Sequence, residues 1–275
     1  MHCMKPYIAW CPGLDEDLDA LQLVASSNVA GVETSGIDAM LRMQEAGVRV
    51  SLHNIVRSGV AMLGSEGFQE QFSDELLLAA RSDAQTLGFH LPRRYSPERA
   101  GRVRSDIQFL NRLFPQKSIV AELQCVFSTG SPDAQKWHPG VTCDDELFHT
   151  RVHEVLVDAS LLCDVSHLLV TASQFSSSVD ACVAWCVAVL DSIDWRVEQL
   201  HVVVPSGPLE YVRDLHGVFD GSEWSEAVLL LCQKVLANSP VKTVTLEMYT
   251  GLSPREHVQV LIKQAELFRQ RTEGF

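Results

Sequence analysis

The sequence predicts a (β/α)8 barrel, and two observations carry that prediction. Eight short apolar runs alternate with longer segments of helical periodicity. Seven of those runs in succession contain or end on a His, Asp or Glu. A barrel gathers the C-terminal ends of its strands on one rim, so this pattern would bring side chains far apart in sequence onto a common face. The 275 residues suit one such barrel, and the chain is read as a single domain over 1–275.

The strands are expected at 7–10, 31–33, 48–53, 88–91, 119–123, 161–165, 199–204 and 243–248. Helical segments are expected at 15–25, 68–86, 96–113, 144–159, 179–190, 225–237 and 254–269. Asp144-Asp145-Glu146 reads as an acidic first turn, and Ser253-Pro254 as an N-cap followed by proline at the first helical position. An open doubly wound sheet is the runner-up, but no GxGxxG follows the first strand. Irregular stretches at 127–142 and 205–224 each follow a strand, which makes both candidate substrate loops.

Composition narrows the function. A net charge of −13 leaves little basic surface with which to displace counterions from nucleic acid, so no nucleic-acid partner is expected. No apolar run is long enough for a transmembrane helix, and the N-terminus lacks the apolar core of a signal peptide. No membrane association and a cytoplasmic location are therefore expected. The eight cysteines form no CxxC pair. Cys182 and Cys186 share a helix face, and both read first as small buried apolar residues, with metal or redox roles as the alternative.

The chemistry sits on the predicted strand ends. Glu33 ends the second strand, His53 the third, and His90 lies in the fourth. Glu122 lies in the fifth, Asp164 in the sixth with His167 three residues on, His201 in the seventh, and Glu247 in the eighth. Asp214 and His216 lie in the loop after the seventh. Ionisable groups inside apolar strands are costly to bury unpaired, and imidazole and carboxylate are ligands for zinc, manganese or non-haem iron. Two or three cations would relieve the repulsion among these groups. Glu33 is either a ligand or a residue that orients one.

The ordered motifs Ser51-Leu52-His53, His90-Leu91, Glu122, Leu162-Cys163-Asp164-Val165, Leu200-His201, Asp214-Leu215-His216 and Leu246-Glu247 resemble the xylose-isomerase-like TIM barrels. They look most like the multinuclear non-haem iron-dependent oxidases related to methanobactin oxidase. Those enzymes modify ribosomally made peptides, often at cysteine. The resemblance spans about residues 50–250. Within that family the chain looks most like the branch that forms 3-thiaglutamate by excising the β-carbon of a C-terminal cysteine. The resemblance implies a first metal on His53, His90 and Glu122, a second on Glu122, Asp164, His201 and Glu247, and a third on His167, Asp214 and His216. It implies iron in mixed Fe(II)/Fe(III) state, dioxygen as co-substrate, and a separate small protein that binds the leader of the peptide substrate. The same ligand order resembles endonuclease IV, a metal-dependent nuclease, and a sugar isomerase is a further alternative. The chain departs from many of the oxidases at Leu123, His167 and Met248-Tyr249. Arg57 and Arg213, near predicted strand ends, are candidates for binding a substrate carboxylate through the guanidinium fork.

Overall fold

Short runs rich in valine, leucine and isoleucine form eight parallel strands: β1 (Tyr7–Ala9), β2 (Gly31–Thr34), β3 (Val50–Leu52), β4 (Thr86–His90), β5 (Ser118–Glu122), β6 (Ser160–Asp164), β7 (Val197–Val202) and, after a hairpin, β10 (Thr243–Leu246). The structure is a computed structural model and describes residues 4–53, 63–71, 78–91, 97–122 and 160–273. The strand order is β3-β2-β1-β10-β7-β6-β5-β4, and a parallel bridge between His53 and Gly88 links the two ends of the sheet. The predicted barrel is thus the observed fold, with every predicted strand present.

Inward-facing side chains stack in layers, because alternate residues of a strand face the same side. Deepest lie Thr86 and Thr243, whose hydroxyls meet at 2.8 Å across the barrel. Two residues further along their strands come Gly88 and Thr245, and two further still His90 and Glu247 at the C-terminal ends. A side chain on Gly88 would put its Cβ 2.7 Å from Leu162 Cδ1 and 2.8 Å from His53 Cδ2, so both side chains would have to shift to admit one.

The connecting helices are α1 (Leu18–Ser26), α2 (Ile37–Glu45), α3 (Phe68–Gln71), α4 (Pro97–Leu113), α5 (Val165–Ala172), α6 (Val179–Ser192), α7 (Glu223–Asn238) and α8 (Pro254–Thr272). Their starts follow local chemistry. The side chains of Asp17, Asp164, Ser178 and Ser222 cap α1, α5, α6 and α7. Glu256 binds both the backbone N and Oγ of Ser253 ahead of Pro254.

Three sequence expectations need correction. The helix expected over 68–86 cannot run to its predicted end. Ser82 and Asp83 bond to the backbone of Val50, and Thr86 belongs to β4. The stretch 205–224, expected to be irregular, carries an antiparallel hairpin, β8 (Val204–Ser206) with β9 (Arg213–Gly217). Helices α2 and α5 are separate elements that the sequence pattern does not predict. The loop 127–142, the helix 144–159 and Arg57 lie outside the described residues. No helix among the described residues is long and apolar enough to cross a membrane.

The five described cysteines are free and buried, in keeping with their reading as small core residues. Burial pushes the thiols of Cys163, Cys186 and Cys232 up, so they stay protonated and unreactive at neutral pH.

Candidate metal centre

Glu122 is the hub of the rim. It is 1% exposed and ends β5 with both carboxylate oxygens engaged by imidazoles. His53 Nε2 lies 2.7 Å and His90 Nε2 2.9 Å from its Oε2, and His167 Nδ1 lies 3.1 Å from its Oε1. Burial opposes the charge on Glu122, but the field of His53 and bonds from His167, His53 and His90 hold its pKa well below the usual range.

Asp164 ends β6 and turns the chain into α5. Its Oδ1 accepts from the backbone N–H groups of Ser166 and His167. Its Oδ2 is buried with no hydrogen-bond partner; the nearest cation-forming group is His167 Nε2 at 3.8 Å. Burial pushes Asp164 up to about 6, and Asp214, Glu247 and Glu122 add to the rise against the opposing His167.

His201, on β7, is fully buried between two carboxylates. Its Nδ1 is 2.8 Å from Glu247 Oε2 and its Nε2 is 2.9 Å from Glu33 Oε1. Burial works against its protonation, but Glu33 and Glu247 raise its pKa well above the ordinary histidine value. Glu247 follows β10. Burial opposes its ionisation, and His201, His53 and His216 together bring it down to about 2.

The β8–β9 hairpin carries the last pair. His167 Nε2 stands 3.2 Å from Asp214 Oδ2, and His216 Nε2 stands 3.7 Å from the same oxygen. Ser166 donates to Asp214 Oδ1 at 2.9 Å. His216 sits at φ 51, a left-handed conformation uncommon for a non-glycine residue, and its Nδ1–H donates to the Glu247 carbonyl oxygen at 2.8 Å. That bond leaves Nε2 as the ring's free donor atom, facing Asp214.

All nine predicted ligand residues and Glu33 therefore converge on one rim. Among the described residues, three overlapping groups have ligand atoms within 4.8 Å of one another: His53, His90 and Glu122; Glu122, Asp164 and His201; and Glu33, His53 and His201. A divalent cation suits this set. The donors are nitrogen and carboxylate oxygen only, five carboxylates crowd the same space, and Asp164 Oδ2 is buried without a hydrogen bond. His167, Asp214 and His216 meet only pairwise and form a looser set.

Beside the His53 and His90 end lies a pocket of about 230 Å³, lined by Ala9, Trp10, Glu33, Thr34, Ser35, His53, His90 and Glu247. Trp10 donates its indole N–H to Asp15 Oδ1 at 2.8 Å, and Arg42 binds Asp15 Oδ2, which fixes the ring at the pocket wall. Arg213 is exposed on the hairpin with its guanidinium 4.3 Å from the Tyr211 ring centroid, and it does not line this pocket.

Sequence reasoning missed Ser51, Gln199 and Thr245, which bond to Glu33, and Trp10. The signal was present in part: Ser51, Gln199 and Thr245 each stand two residues before a strand-end ligand and so share its face.

Comparison with solved structures fits this geometry. A xylose isomerase domain protein from Alicyclobacillus acidocaldarius matches with a TM-score of 0.63 at 13% identity, over 98% of this chain and 100% of that one. The chain has the xylose-isomerase-like TIM barrel fold. Endonuclease IV from Thermus thermophilus shares this fold with a TM-score of 0.57 at 14% identity, over 99% and 100% of the two chains. So does the IolI protein, solved with a bound zinc atom, with a TM-score of 0.59 at 12% identity, over 98% and 100%. No family model matches the sequence, and neither does any curated protein.

Proposed function

We propose that this xylose-isomerase-like barrel is a multinuclear metal-dependent enzyme, an iron- and dioxygen-dependent oxidase acting on a cysteine of a ribosomally made peptide. The observation that carries the metal reading is Glu122, fully buried and shared between two cation-sized donor groups. A buried carboxylate whose two oxygens meet different imidazoles is suited to bridge two ions. The peptide-oxidase reading draws on the ordered motifs from His53 to Glu247 and on the net charge of −13, which disfavours a polyphosphate substrate.

His53, His90 and Glu122 would hold one ion, and Glu122, Asp164, His201 and Glu247 a second. His167, Asp214 and His216 are the donors for a third. Bound iron would supply the one-electron chemistry that side chains lack, with dioxygen as oxidant. The chain's own part is placement. The pocket beside His53 and His90 has room for a single amino-acid side chain, and the Trp10 ring and Ala9 give it an apolar wall. β-Carbon excision from a C-terminal cysteine, as in 3-thiaglutamate formation, is the specific reaction we favour. A separate small protein that binds the peptide leader would deliver the substrate to the rim.

Elemental analysis and Mössbauer spectroscopy on protein purified without oxygen test this reading. Iron in two oxidation states, with dioxygen uptake that depends on a cysteine peptide, supports it. The zinc in the IolI structure favours a second reading, a zinc-dependent hydrolase or isomerase. Tight zinc, with no dioxygen uptake, would establish that reading instead.

A further inference from the structure

We infer that Glu33 is a positioning residue, which locks His201 in one tautomer so that His201 meets its metal through Nδ1. The inference rests on the metal reading above and takes it one layer deeper into the barrel.

Glu33 lies on the inner face of β2 and is 6% exposed. Its Oε2 accepts three hydrogen bonds, each 2.9 Å long, from Ser51 Oγ, Gln199 Nε2 and Thr245 Oγ1. These donors come from β3, β7 and β10, so three strands hold one oxygen and the carboxylate cannot turn. Its other oxygen, Oε1, is thereby aimed at His201 Nε2, 2.9 Å away. An unprotonated Nε2 would set its lone pair against a carboxylate oxygen in a dry interior, which is repulsive. A protonated Nε2 makes a charge-assisted bond there. Gln199 Nε2 also approaches that ring nitrogen, at 3.1 Å, and could serve an unprotonated Nε2. The carboxylate decides against that arrangement, because it is the charged partner and the closer one.

With Nε2 committed to Glu33, the lone pair available to a cation is on Nδ1. That nitrogen opens on the opposite edge of the ring, 2.8 Å from Glu247 Oε2, on the side of another candidate ligand. A carboxylate that takes the second ring N–H of a metal-bound histidine fixes the ring and makes it a better ligand. Gln199 Oε1 is left buried and without a partner, as expected if the amide is oriented by the need of Glu33 for a donor. The competing arrangement puts a cation among Glu33, His53 and His201, whose ligand atoms also lie within 4.8 Å. Either arrangement breaks one His201–carboxylate contact, to Glu33 at 2.9 Å or to Glu247 at 2.8 Å, and the Glu33 contact is the one that stays because three further donors hold that carboxylate in place.

Two measurements on zinc-loaded protein decide between them. The first is nitrogen NMR of unaltered protein labelled with ¹⁵N-histidine, which reads the His201 tautomer. The expected result is a protonated Nε2 and a metal-bound Nδ1, and coordination through Nε2 would overturn the inference. The second is chelator competition on Glu33→Gln. The variant should bind the same number of zinc ions, with one of them held about 10- to 100-fold more weakly. Loss of one whole ion would make Glu33 a ligand and overturn the inference. Ser51→Ala, which removes a single donor to Oε2, should weaken the same ion to a smaller degree. The tautomer is read on the unaltered chain, so it decides even if Glu33→Gln fails to fold. Neither measurement involves oxidation chemistry, so failure of the oxidase reading and failure of this one give different results.

Discussion

His53 Nε2 and Glu122 Oε2 meet at 2.7 Å although 69 residues separate them in the chain. The contact spans the closing seam of the barrel, from the end of β3, past β4, to the end of β5. Because Glu122 belongs to two cation-sized groups, replacing it should remove more metal than replacing a peripheral ligand. Glu122→Gln is expected to lose more than one equivalent, and His90→Ala no more than one. Elemental analysis, with circular dichroism to verify folding, checks this. Equal losses from the two variants would count against a bridging role.

Gly88 is where the seam is tightest against His53 and Leu162 side chains. Gly88→Ala pushes a methyl group to 2.7 Å from Leu162 Cδ1 and displaces His53, whose Cδ2 is 2.8 Å away. Overpacking of this kind costs about 1–3 kcal/mol. Urea unfolding should show that loss, and metal affinity should fall with it because His53 moves. Unaltered stability would mean that the seam is looser than these distances imply.

The fold is legible because strand chemistry is local. All eight barrel strands follow from apolar runs, and the sequence pattern places β4 only two residues late. Helix α5 is not legible, since it begins at once after Asp164 and is buried nearly all round, so it has no polar face to give it a period. The hairpin escapes the pattern because Asp214 and His216 interrupt it and Gly207 and His216 take positive φ. The ligand residues stand out as charges inside apolar strands. Ser51, Gln199 and Thr245 stand out less, because a neutral polar residue on the ligand face of a strand is a weak signal until its partner, Glu33, is known.

Metal and protons compete for the same nitrogens. In the metal-free protein, burial disfavours the charged forms of His53 and His201, yet Glu122 raises the first and Glu33 with Glu247 raise the second. Groups whose folded pKa is raised contribute stability that is complete below the unfolded value, about 6.5, and is lost as pH rises through the folded value. The melting temperature of the metal-free protein should therefore fall as pH rises above 6.5. Metal binding releases those protons and strengthens over the same interval, so the gap between loaded and metal-free melting temperatures should widen. Scanning calorimetry in chelator and in metal measures both, and a gap that narrows with pH would be the contrary result.

Substrate contacts should separate from metal contacts. Trp10 lines the pocket beside His53 and His90 and carries no metal-binding group, so Trp10→Ala is expected to weaken binding of a cysteine peptide about tenfold, or about 1.4 kcal/mol, with metal content unchanged. Arg213→Ala and Arg57→Ala test whether a guanidinium holds the peptide carboxylate. A charge-assisted contact is worth about 1.5–3 kcal/mol, roughly ten- to a hundredfold in affinity. Calorimetric titration of the metal-loaded variants reads each effect, and unchanged affinity in both arginine variants would assign the carboxylate to other groups.

The functional reading depends on this rim holding more than one metal ion around a shared Glu122. Anomalous diffraction from crystals of protein loaded with metal in the absence of oxygen tests it most directly. A bridging Glu122 predicts one peak against His53, His90 and Glu122 and another against Glu122, Asp164 and His201. A single peak, or peaks that leave Glu122 without a metal, would contradict it.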